Sequence, residues 1–211
     1  MQKPIGPAGK RVGYNDGMND AAHNDSLRQS IKDHYEKIAR GDTVLQGAAV
    51  SGSLGYTAAD LAAVPAEADL GLGCGNPQEL AKPKAGEHVL DLGSGRGLDC
   101  FLASRAVGAD GLVYGVDASP TMVAKATELA AKKGFANCRF IEGEIEAIPL
   151  PSDSVDLVMS NCVINLSTDK PRVYAEILRV LRPGGRVAIS DITTKQDLPE
   201  AWLKDPHMTA T

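Results

Sequence analysis

The 211-residue sequence has few aromatic residues, no long apolar run and no run of basic residues. Three Phe, five Tyr and one Trp are few for a ligand pocket lined by aromatic rings. The formal charge of -5 provides no general attraction to nucleic acid or to an anionic membrane. No apolar stretch approaches the length of a membrane span, and the N-terminus lacks the apolar core of a secretory signal. We therefore expect a cytoplasmic protein that binds neither nucleic acid nor membranes.

Cysteine is also sparse, and its spacing indicates neither a Cys-x-x-Cys redox or metal motif nor a disulfide scaffold. The four cysteines, at 74, 100, 138 and 162, form no Cys-x-x-Cys pair and no disulfide scaffold, so in a reducing compartment we expect free thiols. Cys100 and Cys138 fall in a predicted helix and strand and are interpreted as packing residues. Cys74 lies among three glycines beside an Asn-Pro helix start, whose partial positive charge favours thiolate. This pattern favours a functional Cys74, although a small buried residue in a turn is the alternative.

What the sequence does contain is a buried strand, a glycine-rich turn and a helix in succession. The strand at 89–92 leads into Gly93, Gly95 and Gly97, which leave room for a ligand against the backbone and the following helix N-terminus. A second strand at 112–116 ends in Asp117, at the spacing of a ribose-binding acid. The spacing is Gly-x-Gly-x-Gly and not that of the dinucleotide fingerprint, so the turn fits a nucleoside without phosphates better than NAD.

Hydrophobic periodicity and capping signals predict alternating strands and helices behind a loose N-terminus. Further strands are expected at 138–141, 155–160 and 186–190, and helices at 26–39, 57–64, 77–81, 98–107, 120–133 and 169–181. Residues 43–56 are interpreted as a loop, 182–185 as a turn and 199–204 as a candidate turn of helix. We expect a mobile tail at 1–23, a helix and the Cys74 loop covering the site at 24–84, and a ligand-binding core at 85–211.

Two sets of motifs resemble a known family. Asp91-Leu-Gly-Ser-Gly95, Asp117 and Ile148-Pro-Leu-Pro-x-x-Ser-Val-Asp156 resemble the class I S-adenosylmethionine-dependent methyltransferases over roughly residues 85–191. Gly71-Leu-Gly-Cys-Gly-Asn-Pro77 and Asn161-Cys-Val-Ile-Asn-Leu166 resemble the arsenite methyltransferases within them. The resemblance implies a Rossmann-like, mostly parallel, doubly wound α/β sheet, here without the last two strands of the class I fold.

The same resemblance implies the site residues. The cofactor S-adenosylmethionine is expected at Asp91, Gly93, Ser94, Gly95, Gly97, Asp117, Ala118, Glu144, Ile145 and Asn161. Glu144 and Ile145 are expected at the adenine ring, with a solvated acidic loop as the alternative. Helix 26–39 either covers one sheet edge or closes over the cofactor.

Cys74 and Cys162 are expected to act in catalysis by binding arsenic(III), a soft centre that prefers thiolates. The implied reaction is methylation of arsenite or a methylated arsenical in arsenic detoxification, with glutathione or thioredoxin as thiol reductant. The family carries a third arsenic-binding cysteine beyond a segment like Asp205-Pro206, whereas no cysteine follows Cys162, so either the form is truncated or that ligand was lost. Two thiols favour a substrate that already carries one methyl group.

Two other functions remain open at this point. The first is methylation of another small molecule, with both cysteines incidental, although the low aromatic content counts against a quinone-like or sterol-like acceptor. The second is a non-catalytic remnant that binds an arsenical or the cofactor without turnover. The four scattered histidines and the lack of clustered acids do not indicate a site for zinc or an octahedral metal.

Overall fold

A computed structural model describes residues 21–42 and 47–193 of the chain. They form a five-stranded parallel sheet in the order β3-β2-β1-β4-β5, with helices on both faces. The predicted fold class is therefore confirmed. The expected tail at 1–20 and the candidate helical turn at 199–204 lie outside the described residues. Within the described residues, no helix is both long and apolar enough to cross a membrane.

The strands and helices alternate through most of the chain. The strands are β1 (His88–Leu92), β2 (Leu112–Asp117), β3 (Cys138–Glu142), β4 (Val155–Asn161) and β5 (Leu181–Ser190). The helices are α1 (Ala21–Arg40), α2 (Ala48–Ser53), α3 (Ala58–Ala62), α4 (Pro77–Ala81), α5 (Leu98–Val107), α6 (Pro120–Lys133) and α7 (Lys170–Val180). Short 3₁₀ turns occur at Ala66–Ala68 and Ile164–Leu166.

Local sequence signals explain where several helices begin and end. The Ser119 hydroxyl caps α6 by accepting from the Met122 N–H at 3.1 Å, and Gly134 ends that helix in the left-handed conformation with φ +80°. Asn76 caps α4 by accepting from the Gln78 N–H at 3.0 Å. Both helices have proline at their first position, as the sequence predicts.

Strand β1 is the centre of the sheet, and its position determines where a ligand can bind. It pairs in parallel with β2 on one side and β4 on the other. The strand order therefore reverses at β1, and open α/β sheets bind ligands at the carboxyl ends of strands beside such a reversal. One core packs α4, α5 and α6 against one face of the sheet, and α7 covers the other face.

Three predicted boundaries are wrong. Helix α1 begins at Ala21 and not at Ser26, so residues 21–23 are helical, because alanine favours a helix more than the serine cap opposes it. Helix α2 forms inside the predicted loop at 43–56. Strand β5 begins at Leu181, which pairs with Val155 before a register shift, so the predicted turn at 182–185 is an irregularity within the strand.

Candidate active site

The carboxyl ends of β1 and β4 open into a cavity of about 450 Å³. Its walls come from the glycine turn, from the ends of β2 and β4, from the loop after β3 and from α1. Every predicted cofactor residue except Gly97 lines this cavity, and so does Cys162. The Cα of Gly97 instead faces Phe140, since a Cβ there would lie 2.7 Å from the Phe140 ring. The parallel register thus brings together residues that are far apart in the chain.

The glycine turn after β1 is shaped to leave open space. A Cβ on Gly95 would meet nothing within 4 Å, whereas a Cβ on Gly93 would lie 2.6 Å from Val163. Both glycines have positive φ, at +53° and +66°, which other residues rarely adopt. The Gly95 N–H donates to the Asp117 carboxylate at 2.8 Å, which fixes the turn against the end of β2. The turn therefore offers bare backbone to a ligand and a carboxylate beside it.

Three aspartates line the cavity without a positively charged partner among the described residues. These are Asp91, Asp99 and Asp117, and the groups that donate to them are backbone N–H groups, a thiol, a phenol and side-chain amides. Burial raises the pKa of each, and for Asp91 the charge on Asp99 adds to the effect. A buried anion without a counter-charge is unfavourable, so the cavity favours a ligand that carries positive charge.

Helix α1 closes one side of the cavity. Its carboxyl end is held by Arg96, whose guanidinium donates to the Ala39 carbonyl at 2.9 Å, and by Lys125, which donates to the same carbonyl. Nearer its amino end, Lys32 forms an ion pair of 3.8 Å with Glu144 across the mouth of the cavity. The helix is thus fixed firmly at one end, and an exposed ion pair holds it near the other.

The Cys74 loop and the end of β4 meet at the edge of the cavity. Cys74 and Cys162 are joined by a disulfide, with their Cα atoms 5.6 Å apart. This pair differs from the expectation of free thiols, which was made for a reducing compartment, because only the fold brings together cysteines 88 positions apart. The expectation of free thiols is confirmed for the buried Cys100 and Cys138. Burial raises the pKa of the Cys138 thiol to about 11.

Cys162 has an unusual backbone conformation for a residue with a side chain. Its φ is +57°, in the left-handed region that favours glycine, and its N–H donates to the Ser190 carbonyl at 2.8 Å. Strained backbone of this kind is found preferentially at functional sites, where surrounding contacts hold it. Here β5 supplies that contact and directs the Cys162 side chain toward the Cys74 loop.

Two polar residues at this site, Tyr56 and Asp99, were not predicted from the sequence. They are 4% and 7% exposed, and the Tyr56 hydroxyl donates to both Asp99 carboxylate oxygens, at 2.9 and 3.0 Å. Asp99 could have been found as an acid within the otherwise apolar stretch from Leu98 to Leu102. No sequence signal marks Tyr56, since its role depends on contacts with residues distant in the chain.

Comparison with known proteins identifies one family over much of the chain. Residues 83–211 match the family described as Methyltransferase domain. An arsenite methyltransferase from Halobacterium salinarum is 54% identical over 153 residues, which make up 72% of this chain and 39% of that protein. The human arsenite methyltransferase is 42% identical over 139 residues, or 61% of this chain and 36% of that protein. The chain therefore spans well under two thirds of either relative.

A solved structure is similar as well. The crystal structure of an arsenic(III) S-adenosylmethionine methyltransferase from Chlamydomonas reinhardtii matches with a TM-score of 0.59 and 38% sequence identity. The match covers 77% of this chain and 55% of that chain.

Proposed function

Because this chain belongs to the methyltransferase domain family, we propose that it transfers a methyl group from S-adenosylmethionine to arsenic(III) bound by Cys74 and Cys162. The observation that carries the proposal is the position of this cysteine pair at the edge of the acidic cavity. The relatives named arsenite methyltransferase support it as well. A general fold likeness alone would leave the methyl acceptor open.

The residues of the cavity fit S-adenosylmethionine. Asp91, Asp99 and Asp117, which have no positively charged partner among the described residues, complement a ligand with a sulfonium and an ammonium group, whereas NAD, with its pyrophosphate, would bring further negative charge. The buried Ser94 hydroxyl has no hydrogen-bond partner among the described residues and is available to a ligand. When bound, the cofactor supplies a methyl group whose bond to sulfur breaks with both electrons left on sulfur.

The cysteine pair binds the acceptor after reduction. A thiol reductant such as glutathione or thioredoxin delivers two electrons and two protons to the disulfide and is itself oxidised. Each thiol then replaces one arsenic hydroxyl, and its proton leaves with that hydroxyl as water, so that two sulfurs hold the arsenic. Because these thiols must be reduced to act, we place the reaction in the cytoplasm.

The contribution of the protein is then to hold the acceptor beside the methyl group and to keep water out. No general base is required, since the arsenic lone pair forms the new bond and the donor is already activated by its positive sulfur. Proximity and orientation account for at most about 7–11 kcal/mol of barrier lowering in ideal geometry.

A direct test incubates the full chain with S-adenosylmethionine, a thiol reductant and either arsenite or monomethylarsonous acid. Mass spectrometry then measures the methylated arsenic species. Cys74→Ser and Cys162→Ser should each lower the rate by at least about 100-fold, because one sulfur no longer fixes the arsenic, while cofactor binding persists. Cys138→Ala is the matched control, since that cysteine is buried away from the cavity.

Two outcomes would contradict the proposal. Product formation that survives in both cysteine variants would show that the pair is incidental. Retained cofactor binding with no arsenic product from the unaltered chain would indicate another acceptor or a protein that binds without turnover.

A further inference from the structure

The side-chain amide of Asn161, at the end of β4, forms hydrogen bonds with the loop that carries Cys74. Its carbonyl oxygen accepts from the Cys74 N–H at 2.9 Å, and its amide nitrogen donates to the Gly75 carbonyl at 2.9 Å. One amide side chain thus bonds to both sides of the reactive cysteine. Because Asn161 directly precedes Cys162, these two bonds set the spacing between the two cysteines.

Two glycines of the loop make this close approach possible. A Cβ on Gly73 would lie 2.7 Å from the Asn161 amide nitrogen, and one on Gly75 would lie 2.4 Å from the Ser190 hydroxyl. Neither distance is compatible with ordinary van der Waals contact. The loop is therefore fitted against the ends of β4 and β5. An added Cβ at position 73 would displace the Asn161 amide from its hydrogen bonds, whereas the Ser190 hydroxyl can rotate away from one at position 75.

Tyr56 and Asp99 hold the Asn161 amide in turn. Its nitrogen lies 3.0 Å from the Tyr56 hydroxyl and 3.3 Å from an Asp99 carboxylate oxygen. Gln78, which follows the Cys74 loop, donates to the same carboxylate at 3.2 Å and to the Asp99 carbonyl at 2.9 Å. Asp99 therefore connects chain segments before and after Cys74 to the end of β4.

We propose that Tyr56, Asp99 and Asn161 are positioning residues that hold Cys74 at the distance from Cys162 that a two-sulfur arsenic complex requires. The proposal rests on the proposed function and gives Asn161, which also lines the cofactor cavity, a role toward the cysteine pair. The affinity of such a complex depends on the effective concentration of the second thiol near the first. Hydrogen bonds that fix the Cys74 peptide raise that concentration without touching arsenic.

The test compares Tyr56→Phe with Tyr174→Phe in the reduced full chain. Tyr56→Phe removes one buried hydroxyl, whereas Tyr174 is 47% exposed on α7 and serves as the matched control. Arsenite affinity is followed by the ultraviolet absorption of the arsenic–sulfur bonds, and S-adenosylmethionine affinity by calorimetry. We expect about tenfold weaker arsenite binding for Tyr56→Phe, since its hydroxyl donates to a charged group. Cofactor affinity should fall by much less, because Asp99 keeps its charge and its hydrogen bonds from Gln78 and Asn161.

A second pair of variants reaches the same contact from the loop. Gly73→Ala forces the loop away from Asn161 while removing no hydrogen-bonding group, and Gly52→Ala, where a Cβ meets nothing within 4 Å, is its control. The readout is the equilibrium of the cysteine pair with a glutathione redox buffer, in which glutathione disulfide takes up two electrons and two protons and leaves as two glutathione molecules. We expect about a tenfold shift toward the dithiol for Gly73→Ala and for Tyr56→Phe, and none for the controls.

The outcomes separate this proposal from the proposed function. If the unaltered chain fails to bind arsenite, the proposed function fails, and the glutathione equilibrium still tests the positioning residues. If Tyr56→Phe and Gly73→Ala match their controls in both measurements, the positioning proposal is overturned alone. Equal losses of arsenite and cofactor affinity would also overturn it, since they indicate a general structural effect.

Discussion

Acidic side chains at the two ends of the parallel sheet differ in whether they are paired with arginine. At the amino end, Asp156 receives two hydrogen bonds from Arg182, at 2.9 and 2.8 Å, and Glu87 receives two from Arg186, at 2.6 and 2.8 Å. At the carboxyl end, Asp91, Asp99 and Asp117 have no such partner among the described residues. The same residue types therefore serve stability at one end and ligand binding at the other.

The pKa directions follow the same division. The hydrogen bonds from Arg186 lower the pKa of Glu87. For Asp156, burial raises the pKa, but the His88 N–H and the Arg182 guanidinium outweigh it, and the net pKa is lowered. Burial raises the pKa of the carboxylates at the opposite end, which have no positive charge to oppose it. This unfavourable arrangement is expected where a ligand completes the site.

The largest effect on stability is expected at the amino end. Arg186→Gln removes the ion pair with Glu87 and the bonds to the Ala81 and Lys82 carbonyls, so we expect the free energy of unfolding to fall by about 2–3 kcal/mol. Denaturant unfolding measures this, with the exposed Arg105→Gln as control. Cofactor affinity should not change, and a parallel loss of it would remove the distinction between the two ends.

The converse variant at the carboxyl end is Asp91→Asn. Removing a charge that S-adenosylmethionine would balance should weaken cofactor binding by about 10- to 100-fold. The free energy of unfolding should stay equal or increase, since the folded chain no longer buries an unpaired anion. Calorimetry and denaturant unfolding test the two effects, and the exposed Asp110→Asn is the control. Unchanged cofactor affinity would contradict the role of this carboxylate.

Lowering the pH should affect binding before it affects folding. The raised pKa values of Asp91 and Asp117 stabilise the folded state fully at a pH below 3.8, the pKa of these groups in the unfolded chain. This contribution is lost as the pH rises through their pKa values in the folded chain. The lowered pKa values of Glu87 and Asp156 act oppositely, so that their contribution is lost only as the pH falls through them.

As the pH is lowered, cofactor affinity should therefore begin to fall while the pH is still above 3.8. The loss should reach up to about tenfold per pH unit for each proton taken up, while the protein stays folded. Calorimetry and circular dichroism over the same pH series make the comparison. A simultaneous loss of both signals would count against unpaired carboxylates as the cofactor contacts.

The smallest effect is expected at the mouth of the cavity. Glu144 pairs with Lys32 at 3.8 Å, with side-chain exposures of 58% and 37%, so water already screens the interaction. Glu144→Gln should change cofactor affinity by less than about threefold, with the exposed Glu142→Gln as control in the same calorimetric titration. A tenfold loss would show instead that Glu144 contacts the adenine directly.

Much of the fold could be predicted because its signals are local. The bounds of α6 follow from three residues at its own ends, namely the Ser119 cap, the proline at 120 and the glycine at 134. The start of α1 and the irregular beginning of β5 were not predicted. At α1 the alanines at its start favour a helix more than the serine cap opposes it. At β5 the pairing of Leu181 with Val155 begins the strand before the register shift.

Local patterns in the chain predict the strand–turn–helix unit, the run of parallel strands and the two functional cysteines, because periodicity, capping and glycine placement depend on near neighbours. The pairing of Cys74 with Cys162, the hydrogen bond from the Cys74 loop to Asn161, and the burial of Tyr56 and Asp99 beside them follow from tertiary packing. These contacts join the end of β4 to chain segments before β1, which the packing of α4 against β4, β5 and α5 brings to this edge of the sheet. No local rule encodes that meeting, since it depends on the packing of the whole chain.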